Sequence, residues 1–346
     1  MNMKKFLLSV VCLMVVSILS VMAQNTLVAT LSHNGVTTQF YGSSALQSAH
    51  DTAEDGDIIT LSTGFFDAPT ISKAVKIVGA GMGHQGENIN DSTVINGKIL
   101  IDSIVNTKYK LIFEGLRLYN QFNSRYAITN TEFHKCKLDY WGPFGGAMGS
   151  GSNITFIGCR IMGFTCSTEN VTINFISCMV NNAYPEYSSS MFHFENSVVC
   201  MPHNRWEWTT AGMKYSTFNN CVLFVANADY NKSLPETATV TNSVALHGDI
   251  LLNISDTSNV TVNFDNFFKT FQGGNELKDN VEYDLFELSD AAKAVYKGDD
   301  GKEVGIYGGM HPYSSTLSIP QFTKANVAKK AVNGKLSVNI ELNGGN

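Results

Sequence analysis

A seven-residue frame recurs seven times through the middle of the chain. It appears first as Ile112-Phe113-Glu114-Gly115-Leu116-Arg117-Leu118 and then as Glu132-Phe133-His134-Lys135-Cys136-Lys137-Leu138. The segments 155–161, 174–180, 193–199 and 217–223 follow, and Thr239-Val240-Thr241-Asn242-Ser243-Val244-Ala245 closes the series. The frame reads Phe, two variable residues, a small or thiol anchor, one variable residue, then an aliphatic. Leu116, Cys136, Cys159, Cys178, Ser197, Cys221 and Ser243 are the anchors, spaced by 20, 23, 19, 19, 24 and 22 residues. Apolar residues three before and two after each anchor alternate with variable ones, which is the pattern of short strands with one buried face. The residue just before the anchor is Gly115, Lys135, Gly158, Ser177, Asn196, Asn220 or Asn242. Gly and Asn tolerate the left-handed conformation that turns a chain sharply. Each unit is therefore two strands about a corner, and about 20 residues bring the chain back over itself. The expected fold is all-β, a right-handed parallel β-helix with identical positions stacked along its axis.

Stacking also places the cysteines. Cys136, Cys159, Cys178 and Cys221 share the anchor column with Leu116, Ser197 and Ser243, where a thiol serves as a small hydrophobe. An oxidising compartment favours disulfides, and neighbouring rungs come within their reach. The column reading instead predicts reduced, structural thiols.

The chain has 346 residues, of which 44% are hydrophobic and 16% charged, with a formal net charge of -6. That excludes a disordered chain. An acidic balance without a Lys/Arg run longer than a pair argues against nucleic acid as a partner. Lys4 and Lys5, the apolar run Phe6–Val21 and Val21-Met22-Ala23 read as a signal peptide cleaved after Ala23. The expected destination is secreted, periplasmic or cell-surface, with no transmembrane segment after signal removal. The expected organisation is a signal peptide over 1–23, an N-terminal cap over 24–57, the β-helix over 58–263, and a C-terminal wrapping segment with a final strand over 264–346. Leu27–Leu31 and Val36–Tyr41 flank His33-Asn34-Gly35 as a hairpin, and Ser44 opens a short helix to about Ala53. Residues 336–342 alternate as the last strand.

These residues resemble the pectin lyase-like family of right-handed β-helix proteins exported by bacteria. The likeness rests on the repeat frame, on Gly56-Asp57-Ile58-Ile59-Thr60-Leu61 leading to Val75-Lys76-Ile77-Val78-Gly79-Ala80-Gly81, and on Val304-Gly305-Ile306-Tyr307-Gly308-Gly309. It spans most of residues 45–310 and implies the fold more than any activity, since that fold hosts lyases, hydrolases, adhesins and structural proteins. The resemblance implies, for the family's enzymes, cleavage of acidic polysaccharides with Asp-bound calcium and a basic residue, or with clustered aspartates. Neither pattern stands in this chain, where Asp299-Asp300 is the only adjacent aspartate pair and reads as a turn. No metal site and no cofactor is expected; calcium enters only under a lyase alternative.

Two surface features remain. Arg117, Lys137 and Arg160 follow successive anchors and form an outward basic ladder, suited to carboxylates of an acidic polymer or to ordinary solvation. The same column continues as Met179, Val198, Val222 and Val244, an apolar stripe that a soluble chain must cover, most simply with Phe264–Lys297. The eight histidines share no column and are expected mostly on surfaces and in loops. The second feature is a set of loops at one corner holding Trp141, Tyr184, Tyr187, His203, Arg205, Trp206, Trp208, Tyr230 and Lys232. Aromatic faces stack on sugar rings while the polar groups orient them. The functional expectation is a non-catalytic extracytoplasmic glycan-binding or adhesin-like protein, its partner a polysaccharide or cell-surface glycan. The alternative is a polysaccharide lyase or glycoside hydrolase.

Overall fold

The computed structural model describes residues 27–83, 92–102, 104, 108–119, 122–124, 129–138, 153–162, 164–166, 169–181, 183–185, 189–201, 213–225, 233–246, 248–263, 265–269, 286–314, 321–327 and 338–343. The signal-peptide reading of residues 1–23 lies outside them. No helix among the described residues is long and apolar enough to cross a membrane.

Short parallel strands build a β-solenoid. Among the described residues, the first wall is an eleven-stranded sheet and the second a ten-stranded one. In the first wall the Phe positions pair in unbroken register, Phe113 with Phe133, Phe133 with Phe156, Phe156 with Phe175, Phe175 with Phe194, and Phe194 with Phe218. Their rings form a continuous stack, with centroids 4.7 to 5.3 Å apart and planes within 16° of parallel. Strand spacing of about 4.8 Å imposes that distance, so a flat ring repeated at one position fills the interior without gaps. The aliphatic position two after the anchor lines the second wall from inside, and Leu118 through Ala245 are buried there.

The corner residues adopt the expected conformation at all seven rungs. Gly115, Lys135, Gly158, Ser177, Asn196, Asn220 and Asn242 have φ between +46° and +63°. Lys135 and Ser177 do so despite their side chains, because the rungs above and below hold the turn in place.

The anchor column does more than fill space. The corner interrupts the backbone ladder, and the next rung's anchor side chain accepts the amide left over. Cys136 N–H donates to the Cys159 sulfur and Cys159 N–H to that of Cys178, both at 3.4 Å. Cys178 N–H donates to Ser197 Oγ at 3.1 Å, and Cys221 N–H to Ser243 Oγ at 3.0 Å. The same side chains donate to backbone carbonyls, as Cys159 does to Phe133 and Ser197 to Phe175. Thiol and hydroxyl are thus interchangeable because each is small and both donates and accepts. The described cysteines at 136, 159, 178, 200 and 221 are free and buried.

The column has an eighth member that the repeat frame misses. Asn259 follows Ser243 by only 16 residues; its Oδ1 accepts from Ser243 N–H at 3.0 Å and its Nδ2 donates to the Val240 carbonyl at 2.7 Å. One amide side chain therefore closes the last corner.

At the other end, strands Val28–His33 and Val36–Tyr41 pair as a hairpin that extends the first wall through Ile58–Leu61. Helix Ala45–Thr52 seals the core beneath them with Leu46, Ala49 and His50 buried. Ser44 occupies the N-cap position, but its side chain makes no capping bond. Its backbone, at φ -88° and ψ 7°, departs from the extended geometry a capping hydroxyl needs. Strands Gln321–Val327 and Val338–Asn343 form a separate antiparallel pair.

Candidate functional site

Trp141, Tyr187, His203, Arg205, Trp206, Trp208, Tyr230 and Lys232 lie outside the described residues. Tyr184 is described through its backbone, in strand Ala183–Pro185, where it pairs with Thr165.

The basic ladder is fully described. Strands 117–118, 137–138 and 160–161 set Arg117 beside Lys137 and Lys137 beside Arg160 in parallel register. Backbone bonds from Lys137 N–H to the Leu116 carbonyl and from Arg160 N–H to the Cys136 carbonyl, both 2.9 Å, hold the rungs in line. Because these residues directly follow an inward anchor, alternation turns them outward. Arg117 lies over the Tyr119 ring, 5.8 Å from its centroid, and Tyr119 is 49% exposed. The contact combines cation–π attraction with a rigid apolar face beside the charge. Tyr119 was not among the residues the sequence singled out, although its position two after Arg117 puts it on the same face.

The ladder is not uniformly exposed, as the sequence suggested. Arg160 is only 2% exposed, among the largest fully buried side chains of the molecule. The reason lies in the neighbouring rungs: Met179, Val198, Val222 and Val244 continue its column and are buried in a second apolar cluster. Phe267, Phe268, Phe286, Leu288, Val304 and Ile306 from the C-terminal part of the chain complete that cluster. Arg160 pairs in register with Met179, a member of that cluster, whereas Arg117 and Lys137 are half-exposed. Glu132 lies on the other wall, in strand Thr131–His134.

Specific polar contacts fasten the covering segment. Asn220 Nδ2 donates to Asp299 Oδ1 at 2.7 Å, Asp299 N–H returns a bond to Asn220 Oδ1 at 3.0 Å, and Gly305 N–H donates to the Asn220 carbonyl at 2.9 Å. The bonds from Asn220 and Asn219 hold the Asp299 carboxyl below its ordinary range. Gly308 and Gly309 pass so close that a Cβ at Gly308 would strike the Glu303 carbonyl and one at Gly309 the Asn196 side chain. The corner asparagines thus have two tasks, to turn the chain and to seat the strap.

The first wall carries a different set of charges. Glu132 accepts from His134 Nε2 at 2.9 Å and from Lys110 Nζ, one rung earlier. These bonds, with His134 contributing most, bring its carboxyl down from 4.5 to about 2. Lys76 pairs with buried Glu114 at 2.7 Å. His193 Nδ1 meets Thr217 Oγ1 at 2.8 Å across adjacent rungs. His33 bonds Asp57 at 2.9 Å, which raises its pKa, and His50 is buried with its pKa lowered by burial. His50 departs from the expected surface placement because the cap helix turns it onto the core.

Chemically, these groups are committed. A carboxylate held near 2 is a weak base and stays unprotonated at neutral pH. Burial pushes the Cys136 and Cys159 thiols well up and Cys221 up to about 12, so none is a ready thiolate. Arg117 and Lys137 stand in register on the second wall, half-exposed, with Tyr119 exposed beside Arg117.

The chain matches no protein-family model, no curated protein and no solved structure.

Proposed function

We propose that the protein is a non-catalytic, extracytoplasmic binder of acidic glycans, adhesin-like in role, with a right-handed β-helix of the pectin lyase-like kind as its scaffold. The observation that carries this reading is the in-register pair Arg117 and Lys137, with Arg117 stacked on exposed Tyr119. Two fixed cations one rung apart match carboxylates repeated along a polymer, and the ring offers a face for a sugar. An acidic protein that presents its cations in register selects a polyanion by local geometry rather than by net charge. Trp141, Trp206 and Trp208, read from the sequence as loop aromatics, are proposed as further sugar contacts.

The test is calorimetric titration with polygalacturonate and a neutral glucan, with and without calcium. Joint replacement of Arg117 and Lys137 by Ala is expected to cost about 1–3 kcal/mol of binding, with affinity falling as salt rises. Loss of binding only in Trp206→Ala or Trp208→Ala would move the site to the aromatic corner. Sustained release of unsaturated or reducing ends would replace the binding reading with a lyase or hydrolase.

A further inference from the structure

The first wall has two edges, and they are finished differently. At the C-terminal edge, strand Thr239–Thr241 is closed off. Asn259 caps the Val240 carbonyl and the Ser243 amide, and Ser258 Oγ accepts from Asn242 N–H at 2.9 Å. At the N-terminal edge, strand Val36–Tyr41 is the last in the sheet order and almost wholly exposed. It pairs with Val28–His33 over all six residues without a bulge.

Register identifies which backbone groups remain. The two-residue turn at Asn34-Gly35 makes His33 and Val36 a hydrogen-bonded pair, and Gly42 N–H donates to the Leu27 carbonyl at 3.0 Å. Val36, Thr38 and Phe40 therefore turn their amides and carbonyls inward. Thr37, Gln39 and Tyr41 turn theirs away from the sheet, and no bond to them exists among the described residues.

Proteins usually blunt such an edge with Lys, Pro, a bulge or a covering loop. This strand holds no Lys or Pro and no bulge, and no loop covers it among the described residues. Val-Thr-Thr-Gln-Phe-Tyr consists largely of strong strand formers, and no Asp, Glu, Lys or Arg occurs from Asn34 to Ala49. Neutrality bears on the partner. Two identical strands meeting about a two-fold axis bring like residues face to face, and any charge near the axis would repel its own copy.

We propose that Val36–Tyr41 is a self-association edge, which pairs antiparallel with the same strand of a second copy. Gln39 of one copy lies opposite Gln39 of the other, and Thr37 opposite Tyr41. Each of these pairs exchanges both of its outward bonds. Two solenoids then join cap to cap, their first walls forming one continuous sheet.

Sedimentation of the purified protein from about 1 to about 100 µM, the range for a small interface, is expected to show a monomer–dimer equilibrium. Gln39→Pro removes an outward amide and leaves the inward bonds intact, so it is expected to weaken dimerisation about tenfold or more. Gln39→Lys sets two cations opposite each other on an exposed strand. It is expected to weaken the dimer in a way that added salt partly restores. Hydrogen exchange supplies a signature in the parent protein. The amides of Thr37, Gln39 and Tyr41 gain protection with concentration, while those of Val36, Thr38 and Phe40 are protected throughout. A monomer at the highest concentration overturns the proposal. So does concentration-independent protection at 37, 39 and 41, which would mean that this chain's own residues cover the edge.

Discussion

The two walls of the solenoid share one interior and have opposite exteriors. Inside, both obey the same rule, a Phe on the first wall at six of the seven rungs (Val240 at the last) and an aliphatic on the second, with the anchor between them. Outside, the first wall presents Thr155, Asn174, His193 and Thr217, half-exposed and linked across rungs by bonds such as His193–Thr217. The second presents Met179, Val198, Val222 and Val244, buried beneath residues that follow the repeats. One repeating unit can therefore carry two unrelated surfaces, because strand alternation lets inward and outward columns vary independently. The bare wall needs only solvent, while the covered wall needs a strap held by named contacts.

Placing the same charge on each exterior is the strongest way to break this comparison. Val222→Asp puts a carboxylate where Val198 and Gly305 close over it, and should cost about 3–5 kcal/mol as an unpaired buried charge. Thr217→Asp, at an outward position of the first wall, should stay within about 1 kcal/mol, because solvent and His193 receive it. Urea denaturation of both variants measures the difference, and equal losses would mean that the walls are equivalent.

The strap itself comes next in size. Gly308→Ala forces a Cβ against the Glu303 carbonyl, and should release the segment at a cost of about 2–3 kcal/mol. Limited proteolysis should then cut within residues 286–314 while the rungs stay resistant. Uniform digestion would show that strap and rungs unfold together.

The interior column sharpens the comparison from within. Cys159→Ala removes the acceptor of the Cys136 amide as well as buried volume, and should cost about 1–2 kcal/mol. Cys159→Ser keeps both bonds, as Ser197 and Ser243 already do, and should cost less than about 1 kcal/mol. A larger loss in Ser than in Ala would mean that the thiols act as hydrophobes alone.

The smallest effect belongs to the charges of the bare wall. Glu132 has its pKa depressed in the folded chain, so its contribution is present above the unfolded value of 4.5 and is lost as pH falls toward about 2. At its partly solvated position this amounts to about 1 kcal/mol. Glu132→Gln should flatten the acid limb of stability between those values, and an unchanged limb would assign it to other carboxylates.

Much of the fold is legible in the sequence because it is local. Seven anchors, seven left-handed corners and the inward Phe and aliphatic columns follow from residues within a few positions of each other. Hairpin strand Val36–Tyr41 falls where it was read, and the final strand, read as 336–342, is Val338–Asn343. The eighth anchor was hidden because Asn259 replaces a thiol and comes at a shortened interval. Lys110–Glu132 was hidden because its partners are 22 residues apart, one rung in space but unrelated in the chain. The site was legible only in part. The ladder's register follows from the repeat, whereas the burial of Arg160 does not.

By itself, then, the sequence determined the rung: its length, its corner, which residues turn inward, and hence a solenoid with a stacked aromatic core. The reason is that alternation and the left-handed turn are set by neighbouring residues, and each repeat restates them. Only the tertiary structure decided what lies over the outward columns. Asp299 reaches Asn220 across 79 residues, and no periodicity in the repeats encodes where such a segment will land. The same outward column thus holds a buried Arg160 and a half-exposed Arg117 and Lys137, a difference that the repeat does not encode.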